Sequence, residues 1–188
     1  MKRLAAAVVF VLLAALLGLK DFRAVDTPAA KDSVSVLDEI LRSRDDNDPR
    51  LDADFNGLSV ETRRRFREKY RAILPEGRNQ RGTIVYLLGK NLHVPEDWAF
   101  LREVAGEPPC LSLSDCARAP SAGEDGSEDS GASVTLAYPA LVALKQAERV
   151  LAEGPASARR EAQSVVRAGK ESRASVVIEA AARLESRF

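Results

Sequence analysis

The chain is short of the residues that carry most enzyme chemistry. It has one histidine, His93, and two cysteines, Cys110 and Cys116. Any Ser-His-Asp or Cys-His mechanism would have to use that histidine. Neither a Gly-x-Ser-x-Gly nor a His-Glu-x-x-His pattern occurs, and Gly123-Glu124-Asp125-Gly126 is too acidic to cradle a phosphate. Aromatic residues supply only 5% of the chain, and alanine and valine provide much of its apolar content. That profile favours packed helices over a sheet sandwich, and with no stretch of convincing strand alternation the expected fold is all-α. Charge of one sign is also missing: Lys plus Arg is 28 and Asp plus Glu is 28. A dedicated nucleic-acid binder carries a basic excess, so no nucleic-acid partner is expected. No cofactor and no resident metal are expected either.

What is present begins at the N-terminus. Met1, Lys2 and Arg3 make a basic start, and Leu4 to Leu19 is an unbroken apolar run ended by Lys20, Asp21 and Arg23. At ~1.5 Å per residue, the run covers somewhat less than a ~30 Å bilayer core. Residues 1–22 therefore read as a signal anchor, with a cleaved signal peptide as the alternative. Cutting after Ala24 would put Phe22 at the minus-three position, a poor fit. Cutting after Ala29 would put Thr27 there, far downstream of the apolar core. The basic start stays inside, so the remainder is exported. The expected location is the cell envelope: a single-pass inner-membrane anchor with an exported C-terminal domain, or a periplasmic or secreted protein if the signal is cut. Arginine- and alanine-rich composition with such a leader points to a bacterial source.

A polar tether is expected over 23–31, then a single helical domain over 32–188. Asp32 or Ser33 is positioned to cap a helix whose Val34, Leu37, Ile40 and Leu41 share one face. The acidic, proline-containing run from Asp45 to Pro49 stops it. Asp52-Ala53-Asp54-Phe55-Asn56-Gly57 resembles the first half of an EF-hand calcium loop, but the closing glutamate position holds Arg63, a cation. An acidic loop ahead of a helix is the better reading. Ser59 then sits where an N-cap belongs, ahead of a helix from Val60 to about Leu74 with Phe66, Tyr70, Ile73 and Leu74 as its buried stripe. Arg64, Arg65, Glu68, Lys69 and Arg71 fall mainly on the other side. With Arg63, Arg67, Arg78 and Arg81 they form the most basic part of the chain. This face reads as solvated and balanced by the acidic segment from Asp45 to Asp54. A patch for anionic lipid head groups is the alternative.

From Arg81 to Cys116 the spacing gives a helix–turn–helix unit followed by a Pro-Pro loop. Asn79 is a candidate cap, and Ile84, Leu87 and Leu88 form an apolar face. Gly82 and Gly89 each weaken the helix by ~1 kcal/mol relative to alanine, which close helix approach or termination would explain. Pro95 suits a first helical turn, Glu96 and Asp97 complement the helix dipole, and Gly106 is a plausible C-cap. Trp98, Leu101, Val104 and Ala105 share a face. Cys110 and Cys116 read as a small disulfide loop in an exported chain, worth ~2–3 kcal/mol in the chain-entropy model. A metal site would need further ligands, with His93 and Asp115 nearest in sequence. An acidic Gly/Ser tract over 120–133 is too poor in apolar residues to pack and reads as a flexible loop.

Three more helices follow. Pro139 opens one with Ala140, Leu141, Leu144, Ala147 and Leu151 on a face, ended by Gly154-Pro155. The next runs from about Ser157 to Gly169 and buries Ala158, Ala162, Val165 and Val166. Val177, Ala180, Ala181, Leu184 and Phe188 make the stripe of the last.

Two stretches share a pattern. Arg81 opens a small-residue helix ending near Gly89, and Pro95 leads into Trp98 and Val104. Arg159 opens another ending near Gly169, which leads into Val176 and Val177. Asp48-Pro49-Arg50 adds a further element. Together they resemble the helix pairs of HEAT-type α-solenoids, with their Asp-Pro-x-Arg punctuation. The resemblance implies antiparallel helix pairs in a short solenoid, acting as a scaffold or protein-binding surface without catalytic residues. An irregular helical bundle is the competing architecture. The expected function is thus an exported, membrane-anchored interaction module with an unidentified protein partner. Arg64, Arg71, Arg78 and His93 mark its candidate binding surface. The alternative is an envelope enzyme, a metal-assisted hydrolase using His93. N-terminal sequencing of the mature protein checks the anchor: the uncleaved start is expected, and a start near Ala30 rules it out.

Overall fold

A computed structural model describes residues 28–119 and 130–188, and these are helical throughout, with turns and loops between. The apolar segment over 1–22, most of the tether and residues 120–129 of the acidic tract lie outside the described residues. Among those described, no helix is long and apolar enough to cross a membrane.

The N-terminal part consists of α1 (Pro28–Ser43), the single turn α2 (Arg50–Ala53) and α3 (Val60–Ala72). α1 begins a turn earlier than expected, within the predicted tether, so Asp32 and Ser33 lie inside it rather than capping it. Proline is tolerated in a first turn, and Ala29 and Ala30 are strong helix formers. Leu37 and Ile40 are buried as the periodicity requires. Ser59 caps α3, its hydroxyl accepting the Thr62 N–H at 3.0 Å. α3 stops at Ala72, because Pro75 biases the residues before it away from helix. Ile73 is extended, and Leu74 is 73% exposed instead of completing the buried stripe.

The middle unit is α4 (Arg78–Gly89) and α5 (Pro95–Ala105). α4 begins after Gly77 with no side-chain cap, so Asn79 lies in its first turn. The C-terminal part is α6 (Ser130–Leu136), α7 (Tyr138–Glu153), α8 (Ala156–Lys170) and α9 (Ser175–Arg187). α6 occupies residues expected to belong to the flexible loop. Phe188, placed on the last buried stripe by its spacing, is 46% exposed under the Arg187 guanidinium.

α7 is the central element. It packs on α4, α5, α8 and α9, and α6 leans on it as well. Its buried face is small, with Ala140, Ala143, Leu144 and Ala147 at 5% exposure or less, so neighbouring backbones come close. Glycine makes the closest approaches possible. A Cβ on Gly82 would lie 2.3 Å from Cε1 of Tyr138, and one on Gly89 would lie 2.1 Å from Cγ of Gln146. On the other flank, a Cβ on Gly169 of α8 would lie 2.9 Å from Cδ2 of Leu144. Gly82 and Gly89 therefore serve helix approach, one of the two explanations their positions allowed.

Aromatic packing closes the other side. Tyr70 of α3 meets Phe100 of α5 edge to face at 5.0 Å, and Phe55 meets Phe66 at 5.8 Å. Such pairs add ~0.5–1.5 kcal/mol each beyond the area they bury. Gly82→Ala and Gly89→Ala should each lower unfolding free energy by about 1–3 kcal/mol in urea melts, the cost of overpacking. This loss should appear although alanine is the better helix former. Gly106→Ala is the control, since its Cβ would meet nothing nearer than 3.5 Å. Equal effects at all these positions would refute tight seating of α7 on α4.

Candidate interaction site

The N-terminal part is fastened to α4 and α5 by buried polar groups. Asn91, 1% exposed, accepts the Leu58 N–H at 2.9 Å and donates to the carbonyls of Phe55 and Leu87, both at 2.8 Å. Asp97 is buried more deeply than a first-turn dipole partner need be. Its carboxylate accepts the backbone N–H groups of His93 (3.0 Å) and Val94 (3.1 Å). It also pairs with Arg63 at 3.2 Å and with Arg67 at 2.7 Å. The side chains of Arg63 and Asp97 are 4% and 0% exposed. Arg63 Nη1 also donates to the Leu58 carbonyl at 2.5 Å.

Arg63 therefore does not belong to a solvated basic face, and it does not close a calcium loop. Two of the acidic residues ahead of it, Asp48 and Asp52, are committed elsewhere. Arg50 forks onto Asp48 and reaches Glu39 at 2.9 Å. Asp52 Oδ1 accepts the Tyr86 hydroxyl at 2.6 Å, with Lys90 Nζ at 3.3 Å. Those two donors, Tyr86 first, hold the Asp52 carboxyl below the usual range. No three His, Cys, Asp or Glu side chains among the described residues are grouped as metal ligands would be.

Most of the basic face on α3 is neutralised by carboxylates outside the 45–54 segment. Arg64 pairs with Glu61 and Glu68, Lys69 with Asp38, and Arg71 with Glu103 at 2.7 Å. The Arg64 guanidinium, with Arg65, holds Glu61 down at about 2. Arg81 stacks over the Tyr70 ring at 4.1 Å and donates to Glu107 at 2.9 Å. Glu107 in turn accepts the Tyr70 hydroxyl at 2.8 Å, and burial pushes its carboxyl up.

Cys110 and Cys116 are joined in a disulfide, as their spacing suggested. Arg78 sits against this loop. Its Nη2 donates to the Leu113 carbonyl at 2.8 Å, and its Nη1 lies 3.4 Å from both the Ser112 carbonyl and Cys116 Sγ. Glu76 accepts the Cys116 N–H at 3.0 Å, and that bond holds its carboxyl below the ordinary value. The loop displays Leu111 and Leu113, 51% and 55% exposed.

Of the four residues marked as a binding surface, Arg64 and Arg71 are salt-bridged on α3, and Arg78 is buried against the disulfide loop. His93 is exposed and follows the opposite end of α4 from Arg78, ~18 Å along that helix axis. The fold does not gather them into one cluster.

What the fold does create is a groove along α4. Asn79, Thr83 and Tyr86, spaced i, i+4, i+7, form its floor. One section, about 560 Å³, has an apolar wall of Ile40, Leu41, Ile73 and Leu74. The next, about 430 Å³, lies between Leu51 and the α7 residues Tyr138, Val142 and Gln146. Asp46 borders both sections. Sequence reasoning missed this groove, because its walls come from α1, α2, α4 and α7. Its one local signal is the acidic turn at Asp45 and Asp46. Comparison with family models, with curated proteins and with solved structures finds no match for this chain.

Replacing Asp97 tests the fastening that holds the groove's outer wall. Asp97→Asn leaves Arg63 buried without a countercharge and should cost about 3–5 kcal/mol in equilibrium unfolding. Loss of less than about 1 kcal/mol would place Asp97 among ordinary surface ion pairs.

Proposed function

We propose that the protein is an exported, membrane-anchored scaffold that binds a partner protein in a bacterial envelope through the groove along α4. The observation that carries this reading is the groove itself. It is open, apolar in part and lined by charges of both signs (Asp45, Asp46 and Glu76 with Arg44, Arg78 and Lys145), and runs along the face of α4 between the N-terminal part and α7. Clefts between helices are common binding sites. Leu74 at its rim is 73% exposed, and Leu111 and Leu113 on the disulfide loop are 51% and 55% exposed.

Export is supported by the basic start, the apolar run from Leu4 to Leu19 and the disulfide, a bond that persists in oxidising compartments. A HEAT-like arrangement is supported by the packing. α4 lies on α7 and α5 on α8, so the pair α4–α5 stacks on α7–α8, one helix out of step with the α8–α9 pair that the sequence pattern marks. In the living cell, a photo-crosslinking residue at Leu74 should give a discrete adduct with another protein. The same residue at Ile178, 38% exposed on α9, should not. No adduct from Leu74, or equal adducts from both positions, would defeat the scaffold reading.

A further inference from the structure

The disulfide loop holds two sulfurs in unlike surroundings. Arg78, the first residue of α4, is 9% exposed and forms no ion pair among the described residues. Its guanidinium is engaged by the loop instead, donating to the Leu113 carbonyl at 2.8 Å and to Cys116 Sγ at 3.4 Å. Cys110 Sγ faces the opposite chemistry, 3.6 Å from the Pro75 carbonyl oxygen. Cys110 is 8% exposed, whereas Cys116 is partly exposed. A guanidinium favours a thiolate, while a carbonyl oxygen favours an S–H and repels a negative sulfur. With the bond open, Cys116 is the sulfur that ionises and meets solvent. Cys110 is the one that stays protonated and covered.

The other charges nearby do not cancel this difference. Glu76 opposes a thiolate, but its carboxylate is bonded to the Cys116 N–H at 3.0 Å. Asp115 is exposed and accepts the Ala117 N–H at 2.9 Å, and Arg118, also exposed, adds positive charge. On the Cys110 side, Arg81 and Glu107 line the same small cavity and pair with each other at 2.9 Å. Among the described residues, only the Arg78 guanidinium donates a hydrogen bond to either sulfur.

The loop also has ties that do not depend on the S–S bond. The Leu111 N–H donates to the Cys116 carbonyl at 3.1 Å, and the Cys110 N–H donates to the Leu136 carbonyl at 3.2 Å. Arg78 clamps the loop between them. The opened sulfurs therefore remain neighbours, and held neighbours react at high effective concentration.

We propose that Cys110 and Cys116 form a thiol–disulfide exchange site, with Cys116 attacking, Cys110 resolving and Arg78 holding the Cys116 thiolate. The substrate class is an accessible disulfide, on a polypeptide or on a small thiol compound. In the reduced protein the Cys116 thiolate attacks one substrate sulfur. A Cys116–substrate bond forms, the substrate S–S bond breaks, and its other sulfur leaves as a thiolate. Cys110 passes its proton to that thiolate and attacks Cys116 Sγ, closing the protein disulfide while the first substrate sulfur leaves. The substrate gains two electrons and the two cysteines lose them. A reducing dithiol runs the same steps backwards and restores the thiols. None of this depends on the groove.

The test uses the full chain in detergent micelles. In Cys110→Ser, alkylation of Cys116 by iodoacetamide should rise through a midpoint about one pH unit or more below the ~8.5 of an ordinary thiol. In Cys116→Ser, the Cys110 midpoint should be no lower than the ordinary one. Adding Arg78→Gln to Cys110→Ser should return the Cys116 midpoint to the ordinary range, and Arg78→Lys should keep much of the depression. A merely structural role for Arg78 would change the rate at every pH and leave the midpoint in place. The reduced chain should close its disulfide on glutathione disulfide or on insulin, and reaction with one alone identifies the source. Arg78→Gln should slow that closure severalfold at pH 7, because a more nucleophilic sulfur offsets part of the lost thiolate. Equal midpoints at Cys116 and Cys110, an unmoved midpoint in folded Arg78→Gln, or no reaction with either disulfide overturns the proposal. Circular dichroism checks that Arg78→Gln is folded. If it is not, the comparison of Cys116 with Cys110 decides the assignment.

Discussion

The close seating of α7 on α4 is the interaction on which the rest of the structure depends. Only two glycines on α4 let Tyr138 and Gln146 come as near as they do. A third glycine, on α8, repeats the device on the opposite flank of α7 against Leu144. Because α7 also touches α5 and α9, its position fixes the middle and C-terminal parts against each other. Small residues at these crossings exchange side-chain volume for backbone proximity, and dispersion attraction summed over the closely packed atoms is large. The same seating presents Tyr138 and Gln146 to the groove. Packing and the candidate site are consequences of one approach.

The N-terminal part adds buried polar groups to its apolar packing. Its apolar side chains join the common core, with Tyr70 on Phe100 of α5, and to this packing are added Asn91, the Asp97–Arg63–Arg67 cluster and Tyr86 with Lys90 on Asp52. A buried ion pair of this kind is weak as net stabilisation but costly to break, since the surviving charge is stranded. It acts as a specifier of geometry. α3 must sit where both guanidinium groups reach a carboxylate on α5. The groove lies beside this polar fastening, bounded by α7 on one side and by the acidic turn and the ends of α1 and α3 on the other.

Much of the helical framework was legible residue by residue. The stripes Leu37–Ile40, Phe66–Tyr70, Leu101–Val104 and Val165–Val166 are buried, Ser59 and Pro95 open their helices, and Gly154-Pro155 ends α7. The misreadings fall at helix ends. Leu74 and Phe188 continue an apolar period, but one precedes a proline and the other is the C-cap at the end of α9. Residues 28–31 and 130–133 look polar or small enough for loop, yet they are helical. The charged residues were the least legible. Arg63 and Arg64 are adjacent and chemically identical, but one is buried on Asp97 and the other is paired on the surface with Glu61 and Glu68.

The sequence by itself determined the helical class, most helix boundaries, the pairing of Cys110 with Cys116 and the expectation of export. Each of these depends on local period, on backbone-restricted residues or on a short loop, so neighbours in sequence carry the information. Only the tertiary structure decided which arginines are buried, that Asp97 is their partner, and that α4 carries a groove. Those facts depend on residues thirty or more positions apart, such as Arg67 with Asp97 or Leu58 with Asn91. A carboxylate has the same identity in solvent and in a core. What distinguishes the two is desolvation, and desolvation exists only once distant helices have closed around it.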